Sequence, residues 1–228
     1  MGNDYPLTSQ SIQNTDTDWA SYTWEDYAAN SDRDQQPLAI LPVCGFCDWA
    51  TDLPLDSEEC LAMSLLSQAL DPGLQQAEVR VLPPWRFVLR GLLTSPFSID
   101  PESAHAALAE LLSAVKDAGF RKVILFNSSP WNEEFIDVAA RDNRIELGLQ
   151  MFCINLSGLG LDFHPVRGRS DGVKLMACLE AFMRNQSELL AKHLEDSAQQ
   201  LRSLFHEILE REPLPLDGKI PLMKGGQR

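Results

Sequence analysis

The residues best suited to chemistry in this chain are a thiol pair, a run of acids and a single loop imidazole. Cys44-Gly45-Phe46-Cys47 is a C-x-x-C that follows an apolar segment, a pattern that activates one thiol when it opens a helix. Here Asp48-Trp49-Ala50-Thr51-Asp52-Leu53-Pro54 follows. That stretch reads as an extended loop, and its carboxylates raise a thiol pKa. Two adjacent free thiols with no redox role is the favoured reading. The pair is also too little for zinc, because no second Cys or His pair stands at ligand spacing. Cys47 as nucleophile with His164 as base is the strongest enzymatic arrangement, since such a pair needs only spatial contact. One Cys among five and one His among four also coincide readily by chance. His105, His193 and His206 fall within expected helices and read as surface or interface residues. Trp49, Trp85 and Trp131 suit an aromatic clamp for a flat ligand, or a plug that fills a cavity, and the plug is favoured.

The elements that must position these residues alternate between strand and helix. Leu38 to Val43 is a short apolar run of buried-strand type. Ser57 to Leu70 reads as a helix capped by Ser57, with Cys60, Leu61, Met63, Leu65, Leu66 and Leu70 at helical spacing. Val79 to Leu82 is a second strand, ended by Pro83-Pro84. Asp100-Pro101-Glu102 opens a strong helix, Asp as cap and Pro at the first position, that runs to a stop at Gly119. Lys122 to Phe126 is a third strand, Asn132 to Arg141 a helix and Leu149 to Leu156 a fourth strand. Residues 172–211 carry an apolar stripe of one or two further helices. This pattern predicts an α/β fold with a mostly parallel sheet covered on both faces. Ligands then sit at the carboxyl ends of the strands, on the loops Cys44–Ser57, Pro83–Ser98, Asn127–Trp131 and Gly158–Asp171.

The chain has 228 residues, 44% hydrophobic and 23% charged, enough for one sizeable domain with a real core. Its net charge of −14 argues against nucleic acid or an anionic membrane as partner. No apolar run approaches the roughly 20 residues of a bilayer span. The N-terminus lacks the flank and apolar stretch of a secretory signal, and Pro6 stands where a myristoylation signal wants Ser or Thr. An odd number of scattered cysteines fits a reduced, cytoplasmic setting. Residues 1–36 hold seven acids against Arg33 alone. We expect residues 1–18 to be a flexible acidic arm, 19–212 one domain and 213–228 a Pro/Gly-containing tail. Trp19, Tyr22, Trp24 and Tyr27 suggest a short helix docked on the domain's own surface, or an arm for a partner.

Several motifs, in order, resemble the creatininase (creatinine amidohydrolase) family. Thr23-Trp24-Glu25 is followed by Leu41-Pro42-Val43, then Cys47-Asp48-Trp49-Ala50-Thr51-Asp52-Leu53-Pro54-Leu55-Asp56-Ser57-Glu58. This resembles a family loop of the form Glu-x-His-Gly-x-His-Leu-Pro-Leu-x-Thr-Asp with its spacings kept. Phe97 to Glu102 resembles the family's entry to a long helix, Gly119 to Asn127 its next strand, and His164 to Ser170 its His-Ala-Gly-x-x-Glu-Thr segment. The resemblance covers roughly residues 23 to 185. It implies a creatininase-like three-layer α/β/α domain with a mostly parallel central sheet, and, since members commonly form hexamers, a homo-oligomer.

Active members use paired divalent ions, such as zinc or manganese, to turn water on a cyclic amide or similar C–N bond. Carried over one position at a time, the resemblance puts Cys47 at the first Glu, Trp49 at the His that follows and Glu58 at the bridging Asp. Ser129 falls at the next His, Trp131 at a ligand Glu and Arg169 at the last Glu, while Asn127, Asn132 and His164 are kept. The resemblance thus implies no retained metal site and no cofactor. Arg169 would stand where a cation stood, paired with Glu58 and with Asp48 or Asp52. The plainer reading has Arg167 and Arg169 facing solvent and Glu58 opening its helix. The function expected is a non-hydrolytic homologue that binds an unidentified small molecule or serves as a structural partner. The alternative is a divergent amidohydrolase with a relocated metal site or Cys47/His164 chemistry.

Overall fold

Apolar strands with no polar face need cover on both sides, and the computed structural model supplies it. It describes residues 23–25, 38–46, 54–70, 74, 79–89, 98–163 and 188–212, with side chains of the last segment described from 192. The strands are β1 (Leu38–Cys44), β2 (Val79–Val81), β3 (Trp85–Arg86), β4 (Val88–Leu89), β5 (Ser98–Ile99), β6 (Lys122–Asn127) and β7 (Gln150–Asn155). The helices are α1 (Ser57–Ala69), α2 (Pro101–Asp117), α3 (Glu133–Leu147) and α4 (Glu188–Glu210), with a 3₁₀ turn at Leu156–Leu159.

The main sheet runs β2-β1-β6-β7, with β3 also paired to β1, and every pairing is parallel. A two-stranded parallel sheet joins β4 to β5. Alternation along β1 divides the core in two. Leu38, Ile40 and Cys44 join a cluster with Leu61, Leu65 and Leu66 of α1 and Leu201, Phe205 and Ile208 of α4. Ala39, Leu41 and Val43 join Ala104, Leu108 and Leu112 of α2 and Ile136 and Ala139 of α3. The result is the expected α/β/α sandwich. No helix among the described residues is long and apolar enough to cross a membrane.

Local signals mostly match the elements. Asp100 caps α2 as expected, its carboxylate accepting from the Glu102 and Ser103 N–H groups at 3.1 and 3.4 Å. Asp100→Ala should cost about 1 kcal/mol of stability, readable as a lower urea midpoint with unchanged slope. Gly119, at φ 96°, ends that helix region in a conformation that suits glycine.

Four expectations need correction. Asp56, not Ser57, is the N-cap of α1, and it makes no side-chain cap bond. The Ser57 hydroxyl instead donates to the Pro54 carbonyl. Helix α3 runs six residues past Arg141, because no Gly or Pro interrupts it until Gly148 turns left-handed at φ 67°. The region 83–98, expected to be loop, holds β3, β4 and the start of β5, strands too short for a period-2 signal. The fourth strand ends at Asn155, and Leu156 begins the 3₁₀ turn. Of the aromatic N-terminal segment only residues 23–25 are described, and Trp24 there is 78% exposed. The expected helix over 172–211 is described only from Glu188.

Candidate functional site

In a sheet ordered β2-β1-β6-β7, chain connections diverge on either side of β1, and in open sheets of this kind a ligand site falls at the carboxyl ends of the strands beside that point, here β1 and β6. Register sets these ends level. Val43 pairs with Asn127, and Asn127 with Asn155. The Asn127 amide donates to Asn155 Oδ1 at 2.9 Å and to the Ser129 carbonyl at 2.8 Å, and its Oδ1 accepts from the Ser129 N–H at 3.1 Å. Asn127 is therefore the brace of the β6 loop. Asn132, also buried, donates from Nδ2 to the Phe87 carbonyl at 3.2 Å and ties the same loop to the chain beyond β3.

Gly45 follows β1 directly, and its N–H donates to Glu58 Oε2 at 2.7 Å. Glu58 is the second residue of α1 and only 3% exposed. Its carboxylate is favoured there by the helix dipole as well as by that bond. A methyl group added to Gly45 would lie 2.1 Å from Glu58 Oε2 and 2.7 Å from Ser129 Oγ. The carboxylate and the Ser129 hydroxyl therefore converge over one glycine. Ser129 is 1% exposed, and its Oγ has no hydrogen-bond partner.

The structure thus brings together Glu58, Asn127 and Ser129 of the sequence-derived site, with Trp131 half-buried on the same loop. Cys47, Asp48, Trp49, Asp52, His164, Arg167 and Arg169 lie outside the described residues, and the Glu58–Arg169 pairing with them. Trp85 lies against Phe87 with the rings tilted by 40° and 4.5 Å between centroids, Phe87 meets Phe135 edge-on at 5.6 Å, and this aromatic group packs on the α2–α3 side of the sheet.

Sequence reasoning missed the ion pair beside this site. Glu59, buried, accepts two bonds from the Arg86 guanidinium, Nη2 to Oε1 at 2.6 Å and Nε to Oε2. The available signal was a second acid directly after Glu58 and an arginine directly after Pro-Pro-Trp. Neither spacing in sequence announces the pair, which exists because β3 pairs with β1 and sets Arg86 beside Cys44.

The described thiols are poor nucleophiles. Burial pushes the Cys44 thiol far up, helped by the Glu59 and Glu58 charges and opposed by a hydrogen bond with Ser128. Burial pushes Cys60 and Cys153 up to about 12 from an ordinary value of 9.0. In that window the unfolded chain ionises and the folded chain does not, so stability is intact below about pH 9 and falls as pH rises toward 12. Each such thiol should cost about 1 kcal/mol by pH 10. Urea melts at pH 8 and 10 on the parent and on Cys60→Ala check this, the variant showing the smaller alkaline loss.

A parallel sheet covered by helices, with buried polar groups gathered where β1 and β6 end, defines an α/β domain with a strand-end site. The chain belongs to the creatininase family, whose model, described as creatinine amidohydrolase, matches residues 20–202. Among solved structures it is similar to a creatinine amidohydrolase (creatininase) at TM-score 0.65 and 12% identity, covering 87% of this chain and 100% of that one. The structure named Creatininase Mn gives 0.64 and 14%, covering 86% and 99%. A putative creatinine amidohydrolase from Bacteroides fragilis NCTC 9343 gives 0.61 and 15%, covering 87% and 98%. No curated protein matches the sequence.

Proposed function

We propose that this chain is a creatininase-family member without the binuclear metal site, acting as a non-hydrolytic ligand-binding or structural partner protein. The observation that carries this reading is the donor set at the ends of β1 and β6. A pair of divalent ions needs imidazoles and carboxylates converging from several loops. The described residues there offer the Glu58 carboxylate, the Ser129 hydroxyl, an Asn127 amide engaged at both its atoms and the Trp131 indole, which has no lone pair to give. That set does not fit two divalent ions. Among the described residues no group of three or more His, Cys, Asp or Glu converges on a common point. Cys47 and Trp49, matched residue by residue, take away two more of the family's donors.

On this reading the hydroxyl, carboxylate and indole groups at the strand ends supply polar contacts for a small ligand and none of the chemistry of a metal centre. The protein is a cytoplasmic homo-oligomer, with residues 1–18 as an acidic arm and 19–212 as the family domain. The test is elemental mass spectrometry of the untagged protein before and after incubation with zinc and manganese, beside a creatinine hydrolysis assay. Less than a tenth of an equivalent of metal, and no hydrolysis, is the expected result. Near-stoichiometric metal would return the site to hydrolysis and overturn the reading.

A further inference from the structure

β7 is the end strand of the main sheet, and among the described residues no strand pairs with its outer edge. The Gln150 N–H donates to the Arg121 carbonyl at 2.8 Å, and the β6–β7 register continues from there. Gln150, Phe152 and Ile154 therefore turn their N–H and C=O groups toward β6, while Met151 and Cys153 turn theirs outward. The Met151 carbonyl is met by Arg144, in the last turn of α3, whose Nη2 donates to it at 2.8 Å. Along this edge, beside the carboxyl-terminal half of α4, runs a cavity of about 510 Å³, within the roughly 300–1,000 Å³ of small-molecule sites. It is separate from the strand-end site, since neither Glu58, Asn127, Ser129 nor Trp131 lines it.

We propose that this cavity binds a small amphipathic monoanion, a carboxylate carried on an apolar tail or ring. Its lining supplies both halves of such a ligand's environment. Phe152, Leu204 and Ile208 form an apolar wall, and Arg144, Glu207 and Arg211 are the charged groups. Arg211 donates from Nη2 to Glu207 Oε1 and stands over the Phe152 ring at 5.9 Å from its centroid, so those two charges cancel. Arg144 has no carboxylate partner among the described residues. One positive charge is left over, in a chain of net charge −14. That surplus decides the class. A carboxylate balances it, whereas a phosphate dianion would face Glu207 with one charge unmatched. The Met151 carbonyl holds the Arg144 guanidinium at the strand edge and leaves Nη1 and Nε to donate to the carboxylate. The outward N–H of Cys153, further along the same edge, is a second donor, and the tail lies against the apolar wall. The site stands whether or not the strand ends hold metal.

Isothermal titration calorimetry of octanoate into the full-length protein tests this, with 1-octanol as the uncharged control. The expected result is saturable binding of one octanoate per chain with a Kd below about 1 mM, and 1-octanol weaker by at least about tenfold. Arg144 and Glu207 are exposed, so their variants should fold, as far-UV circular dichroism will verify. Arg144→Gln should weaken octanoate binding at least about tenfold. Glu207→Gln removes the opposing carboxylate and releases Arg211, so it should tighten binding about threefold. Loss of local structure would not give the two variants opposite signs. No saturable binding at low millimolar octanoate, or equal binding of 1-octanol, would overturn the monoanion site. Octanoate binding that neither variant changes would put the anion elsewhere and overturn this cavity as its site.

Discussion

Arg86→Ala is expected to lower stability by about 2–3 kcal/mol, and Glu59→Gln by only about 1 kcal/mol. The asymmetry follows from burial. Glu59 is 4% exposed at its side chain and Arg86 48%. Removing the arginine strands a carboxylate with no route to water, whereas removing the carboxylate's charge releases a guanidinium that can turn outward. A fully buried pair would cost 3–5 kcal/mol when broken, and the half-exposed arginine sets the lower figure. Urea denaturation of both variants at neutral pH measures this. A deficit equal for the two variants would show that packing and not charge holds the β3 turn.

That ion pair marks the limit of what the sequence makes legible. The sheet was readable because β1, β6 and α2 each carry a strong local signal: an unbroken apolar run, or an Asp-Pro-Glu helix opening with a glycine stop. The polar frame of the site was partly readable too. Asn127, Ser129 and Glu58 came from motif positions, and the structure places all three at the strand ends. Which groups they touch was not readable, since Asn127 finds Asn155 through the β6–β7 register and Glu58 finds Gly45 across thirteen residues. Arg86 was invisible for the same reason. Two-residue strands have no periodicity, and only the pairing of β3 with β1 gives that arginine its partner.

The C-x-x-C shows how context decides a motif. In sequence it suggests a thiol at a helix start, where the dipole would lower its pKa. In the fold Cys44 is the last residue of a buried central strand, packed toward α1 and α4 with two acids nearby. Its environment raises the pKa instead. In the first turn of a helix here stands Glu58, whose carboxylate takes the position at the helix N-terminus that a reactive thiol would need.

Gly45→Ala is the complementary prediction, because the residue inside that motif is held by geometry. The added methyl would lie 2.1 Å from Glu58 Oε2 and 2.8 Å from its carboxyl carbon, distances no side chain tolerates. Backbone shifts are opposed by β1, which is paired on both sides. The carboxylate must therefore move, and in moving it loses the 2.7 Å bond from the Gly45 N–H. Overpacking plus an unsatisfied buried donor should cost about 2–4 kcal/mol. The cause is separable by a double-mutant cycle. Shortening Glu58 to alanine removes the nearer obstacle and leaves only Ser129 Oγ at 2.7 Å, so Gly45→Ala should cost at least about 1 kcal/mol less in a Glu58→Ala background than in the parent. Additive costs would mean that the glycine serves a backbone conformation and not the close approach of the carboxylate. A strong coupling would fix Glu58 over Gly45 in solution, and with it the conclusion that this buried acid is committed to its own backbone.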